Sequence, residues 1–229
     1  MKLSEIKFED FNPLNTLLYF YATKKGNWEE IQQALSEKEE LPPVATMQAT
    51  LEEWRKAILE KTPDAQVVTI LDLTSTKLYP TWLTKFRRPP YVLVYTGSLE
   101  TLNPKNKLLV VEDGSISKML RRYGIAHGYA DGNGITTYIN SPEVGDLVSN
   151  FVEDEVTARE RLVSIGDRFL AIDGNPAFLE TMKMFKKSTD TKKLYALPGN
   201  AGCMCNKLIK SGWHLCDSGE DLISIPGSK

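Results

Sequence analysis

Apolar residues recur at helical spacing through the first sixty positions and then give way to compact runs. Leu14, Leu17, Leu18 and Tyr21 fall on one face of a helix, and Trp28, Ile31 and Leu35 make a second, shorter amphipathic segment. An acidic run from Glu37 to Glu40 and the pair Pro42-Pro43 stop that segment. Met47, Leu51, Trp54 and Ile58 form a third stripe. The spacing predicts three short helices, packed as a small bundle or as a cap on a larger core.

From about Val67 the texture changes. Val67-Val-Thr-Ile-Leu71, Tyr91-Val-Leu-Val-Tyr95, Leu108-Leu-Val-Val111, Ile135-Thr-Thr-Tyr-Ile139, Phe169-Leu-Ala-Ile172 and Leu194-Tyr-Ala-Leu197 read as strands. Helical candidates lie between them at Ile116–Arg122, Val144–Val152, Thr157–Ile165, Pro176–Lys187 and Asn206–Ser211. Alternating strand and helix predicts an α/β core with a mostly parallel sheet. The turn-like break Lys61-Thr-Pro63-Asp64 divides the chain into a helical cap at 1–62 and a core at 63–229. No internal repeat or low-complexity linker interrupts either part.

Composition changes this picture little. A chain of 229 residues, 41% hydrophobic and 25% charged, is ordinary for a globular protein. No run approaches the roughly 18 apolar residues of a membrane span. The first ten residues are too acidic for a signal peptide. Three cysteines argue against a disulfide framework and for a reducing compartment, so the chain reads as cytoplasmic. Twenty-eight Lys and Arg against thirty Asp and Glu leave a net charge of −2. Dedicated nucleic-acid binders usually carry a basic excess, because neutralising phosphates supplies affinity. Any such role here needs a local patch.

Two stretches carry more specific information. The first runs Tyr79-Pro80-Thr-Trp82-Leu-Thr-Lys-Phe86-Arg87-Arg88-Pro89-Pro90, then a strand ending in Gly97. The second is Lys193-Leu-Tyr-Ala-Leu-Pro198-Gly199-Asn-Ala-Gly202, followed by Leu208-Ile209 and Gly212. Together they resemble the DNA-processing protein A family (DprA, also called Smf). Ala158-Arg159-Glu-Arg161-Leu-Val resembles the family's Arg-Asn-Arg-Ile-Ile segment, and Gly132-Asn-Gly134-Ile resembles its Gly-Lys-Thr-Ile strand. The resemblance spans roughly residues 64–224. It implies a Rossmann-like core behind a small helical domain. It also implies binding of single-stranded DNA in DNA uptake or recombination, loading of the recombinase RecA, and a homodimer. It implies no cofactor and no metal.

The chain departs from the family's pattern in three places. The family's Gly-Ser/Thr-Arg loop is replaced by Glu112-Asp113-Gly114 after the strand at Leu108–Val111. A carboxylate about 4 Å from a phosphate costs about 4 kcal/mol at an effective dielectric near 20, so anion binding at that loop is expected to be weak or absent. The family's Ser-Gly-Leu-Ala-Arg-Gly-Ile-Asp motif has only Gly124-Ile-Ala126-His127-Gly128 as its counterpart. Either His127 stands in place of its arginine, or the motif is deleted. Asp173-Gly174-Asn175-Pro176 replaces a Ser-Gly-Ser segment.

The candidate contacts to a polynucleotide are cations. Lys118, Arg121 and Arg122 cluster on one short helix, with His127 beside them, as a basic rim or as a solvated face. Arg121 is the best suited to bidentate phosphate contact. Arg159 and Arg161 are two positions apart, so on a helix they point to different faces, toward DNA or toward a neighbouring glutamate. Lys207 and Lys210 follow the Gly-rich turn, which serves an anion or only backbone geometry. Arg87-Arg88-Pro89-Pro90 reads as a structural corner, and Tyr79, Trp82 and Phe86 as core. Cys203, Cys205, His214 and Cys216 make a four-ligand zinc set on paper, but Cys-x-Cys is tighter than the usual ligand gap, and buried thiols are the simpler reading. No nucleophile–base pair is visible along the chain, and no enzymatic activity is expected. The alternative readings are a Rossmann-like sensor or hydrolase of a nucleotide or nucleotide-derived ligand, and an interaction protein whose DNA site has decayed.

Overall fold

The computed structural model describes the chain apart from residues 74–78, 86–87, 104–107, 132–135, 150–161, 163–164, 177, 181, 183–192, 218–220 and 222–229, and apart from the side chains of 82, 85 and 193. It is an α/β protein made of two compact units. One is built on Met1–Thr96, the other on Gly97–Val148 and the described residues of Ala158–Lys229.

In the first unit the three apolar stripes become α1 (Pro13–Thr23), α2 (Trp28–Glu37) and α3 (Val44–Lys61). Asn12 caps α1 by accepting from the Asn15 amide at 2.8 Å, and Pro13 occupies the first helical turn. Asn27 caps α2 through the Glu29 and Glu30 amides. Leu17, Leu18, Ile31, Met47 and Leu51 are buried in one cluster with Val67 and Val94. Leu35, expected in the stripe of α2, is exposed, and Ala34 is buried in its place. Strand β1 (Gln66–Thr69) pairs antiparallel with β2 (Val92–Gly97). The run expected to continue β1 to Leu71 turns into a 3-10 segment (Ile70–Leu73) instead. The buried Asp72 carboxylate draws the chain back by accepting from the Thr69 amide and hydroxyl at 2.8 and 3.0 Å. The proline corner is structural as expected. Tyr79 donates to the Pro90 carbonyl and Trp28 to the Pro89 carbonyl, both at 2.8 Å, while Arg88 pairs with Glu29. Tyr79 is buried; Arg87 and Phe86 lie outside the described residues.

The second unit is organised around seven described strands in the order β6-β5-β4-β3-β7-β8-β9. These are β3 (Leu108–Val111), β4 (His127–Ala130), β5 (Thr137–Ser141), β6 (Gly145–Ser149), β7 (Gly166–Ala171), β8 (Lys193–Ala196) and β9 (His214–Leu215). The central run is parallel: β3 with β4 and β7, β7 with β8, and β8 with β9. Strands β4 and β5 are antiparallel. Helix α4 (Ser117–Arg122) follows β3, and α5 (Met204–Lys210) follows β8.

The helix expected over Val144–Val152 is overturned as far as the structure describes it. Gly145, at a φ of +107°, opens β6 after a turn in which the Val144 amide donates to the Ser141 hydroxyl. A glycine in the left-handed region suits a strand entered from a tight turn better than a helix interior.

The two helices cover opposite faces of the sheet. Leu120 of α4 is buried with Leu109, Val111 and Leu170, and Tyr195 packs on that cluster. Met204 and Leu208 of α5 share a largely apolar cavity of about 350 Å3 with Leu194. Leu194 and Tyr195 are consecutive in β8, and successive side chains of a strand point to opposite faces.

Candidate functional site

Helix α4 places its three cations on one side. Lys118 and Arg121 are one i,i+3 step apart and Lys118 and Arg122 one i,i+4 step, so all three stand together opposite the buried Leu120. All three are exposed. Arg121 donates to Asp146 at 2.8 Å; the two side chains are 55% and 51% exposed, so the pair is solvent-screened and loosely held. Asn140 also donates to Asp146. On the same face of the sheet, Tyr129 of β4 packs against the α4 cluster. Its cross-strand partner Tyr138 stacks on it, with ring centroids 5.1 Å apart and 17° between planes. Sequence reasoning missed this aromatic pair; its signal was one tyrosine in each of two adjacent strands.

The other expected contacts do not join this group. His127 has no exposed surface. Its Nδ1 bonds the Ile125 carbonyl and its Nε2 meets the Ser117 hydroxyl, both at 2.8 Å. It supports α4 from beneath and takes no place on a rim. Lys207 and Lys210 are exposed on α5, which covers the opposite face of the sheet. Arg159 and Arg161 lie outside the described residues.

Burial pushes the His127 imidazole below its ordinary value, against a smaller upward pull from the Ile125 carbonyl. The folded state therefore holds fewer protons on this ring than the unfolded chain does. The contribution to stability is complete above the unfolded value of about 6.5 and is lost as pH falls through the lower folded value. The urea midpoint is expected to drop between pH 7 and pH 5, and to drop less in His127→Gln.

At the carboxyl ends of β3, β7 and β8, in the region where open α/β sheets commonly take ligands, side chains bond to the backbone of the turns. Glu112 follows β3 and reaches over to the turn after β7. Its Oε2 accepts from the amides of Ile172, Asp173 and Gly174 at 2.8, 3.1 and 2.9 Å, and its Oε1 from Asn175 at 2.5 Å. Four successive amides converging on one carboxylate form an anion nest occupied by the chain itself. Gly174, at a φ of +79°, is required there, because a Cβ would meet Met204 Cβ at 2.6 Å. After β8, the Asn206 side chain accepts from the Gly199 amide and donates to the Gly199 and Asn200 carbonyls. Asn206 thus ties the Gly-rich turn to the first turn of α5. Glu112 therefore occupies the amide donors of this edge itself.

Cys205 is buried and donates to the Ile172 carbonyl at 3.1 Å; Cys203 is partly exposed, and His214 is exposed against the Tyr195 ring. Burial pushes the Cys205 thiol up to about 12 and the Cys216 thiol up to about 11. Both stay protonated at neutral pH. In native protein at pH 8, a disulfide reagent is expected to titrate Cys203 promptly and the other two thiols only after denaturation. Arg168, in the middle of β7, is 2% exposed, with Nε 3.2 Å from the Asp167 carboxylate. A charged pair inside a strand-forming run was its signal.

No family profile matches the chain, and no curated protein matches it. Among solved structures it is similar to the X-ray structure of DNA processing protein A (DprA) from Streptococcus pneumoniae, at 16% identity and a TM-score of 0.49, over 98% of this chain and 99% of that one. Among the described residues no helix is long and apolar enough to cross a membrane.

Proposed function

We propose that this chain binds single-stranded DNA across the α4 face of its second unit. The observation that carries the reading is the exposed trio Lys118, Arg121 and Arg122 on the helix that covers the sheet face carrying the stacked Tyr129 and Tyr138. Cations tracking a backbone, next to aromatic rings, are what sequence-tolerant binding of an unpaired strand requires. The motifs shared with the DNA-processing protein A family favour the same ligand and suggest a role in DNA uptake or recombination. Delivery of the strand to RecA, a homodimeric state and a cytoplasmic location belong to this proposal, as do contacts from Arg159 and Arg161. Filling of the 172–175 nest by Glu112 counts against the alternative of a nucleotide sensor, since a phosphate would have to displace a carboxylate already holding four amides.

The test is an anisotropy titration of a labelled oligo-dT 40-mer at low salt. Saturable binding is expected, and no rise in anisotropy up to tens of micromolar protein would retire the proposal. A nucleotide that raises the melting temperature in a thermal-shift screen would favour the sensor.

A further inference from the structure

The fold brings together a nucleophile–base pair that the spacing along the chain conceals. Ser117, the first residue of α4, is partly exposed, and its Oγ lies 2.8 Å from Nε2 of His127 in β4. The other ring nitrogen, Nδ1, lies 2.8 Å from the Ile125 carbonyl. A carbonyl only accepts, so Nδ1 carries the proton. In the neutral ring Nε2 is then the acceptor and the serine hydroxyl the donor. A hydroxyl within hydrogen-bond reach of a base, with the base held in one tautomer by a third group, is the arrangement that activates serine.

We propose that Ser117 is a nucleophile toward small carboxylic esters, with His127 as its general base and the Ile125 carbonyl as the group that orients the base. Ser117 Oγ attacks the ester carbonyl carbon, and its proton passes to Nε2. The ester C–O bond breaks, and the alkoxide or phenolate leaves with that proton. Water then attacks the acyl-serine by the same route, releasing the carboxylic acid and restoring the hydroxyl. The step needs no co-reactant other than water.

Helix α4 presents Ser117 and Arg121 to the imidazole, β5 presents Asn140 opposite it, β3 presents Leu109, and the charges acting on it are Arg121 and Asp146. Arg121 and Asp146 pair with each other at 2.8 Å and act on the imidazole in opposite senses, so burial decides its charge. Enclosure of the ring keeps it neutral at pH 7, the form a base needs.

Full-length protein is incubated with p-nitrophenyl acetate and, separately, with a fluorophosphonate probe. The proposal predicts a burst of nitrophenolate, a one-acetyl mass increase that maps to Ser117, and probe labelling at the same residue. Ser117→Ala, a small change at a half-buried site, should lose the burst and at least 10²-fold of the acylation rate, the scale of general-base assistance. The wild-type rate should rise with pH and level off as His127 becomes neutral. His127→Gln should retain the fold by circular dichroism and lose that profile. Absence of any adduct at Ser117, labelling confined to other residues, or an unchanged rate in Ser117→Ala would each overturn the proposal. None of these outcomes bears on DNA binding, which is read separately by anisotropy.

Discussion

Replacing Glu112 by alanine is expected to destabilise the fold by about 3 kcal/mol. A hydrogen bond to a charged acceptor contributes roughly 1.5–3 kcal/mol net, and such bonds do not add when they share one acceptor. Glu112 accepts four, from Ile172 to Asn175. Asp173 and Asn175 are exposed, so water recovers part of what their amides lose. Gly174 is buried beneath Met204 and its amide recovers less. The Glu112→Gln variant keeps one accepting oxygen and loses the charge, so about half the effect is expected. Urea unfolding followed by circular dichroism reads both. A midpoint unchanged in Glu112→Ala would mean that the nest is not held by this carboxylate.

The second large effect concerns α4. The triple variant Lys118→Ala, Arg121→Ala, Arg122→Ala is expected to lose about 10²–10³-fold in affinity for oligo-dT at 50 mM salt. Each cation on a single strand contributes a slope of about −0.7 in log K against log salt, so three lost contacts lower the slope by about 2. Stability should change little, because the three side chains are exposed and Arg121 has only a screened pair with Asp146. The comparison variant Lys207→Ala, Lys210→Ala should bind within about twofold of wild type, because α5 covers the other face of the sheet. Equal losses in the two variants would show that cations act through overall charge and not through one face.

Much of the architecture is legible in the sequence, because burial imposes periodicity. The stripes at Leu14–Tyr21 and Met47–Ile58 lie on α1 and α3, and the all-apolar runs at Leu108 and Phe169 lie in β3 and β7, as residues of a parallel sheet should. The failures have local causes. Strand β4 is His-Gly-Tyr-Ala, with one strong strand former, and it forms because its neighbours on both sides pair with it. Strand β6 hides behind Gly145, whose backbone angle no propensity reports. The site is less legible than the fold. Lys118, Arg121 and Arg122 could be grouped because one helical turn joins them. Glu112 and the 172–175 amides are sixty residues apart, and only the pairing of β3 with β7 brings them together. Ser117 and His127 meet for the same kind of reason, across the β3–β4 pairing. Separation of the α4 and α5 cations onto opposite faces follows from the alternation of Leu194 and Tyr195, which is readable only once their partners are known.

The central claim is that the α4 face holds an unpaired polynucleotide. The most direct measurement is the slope of log K against log salt for oligo-dT, taken on wild type and on the α4 triple variant under identical conditions. A steep wild-type slope that flattens by about 2 in the triple variant is the predicted result. Identical slopes, or a wild type that does not bind at 50 mM salt, would contradict it.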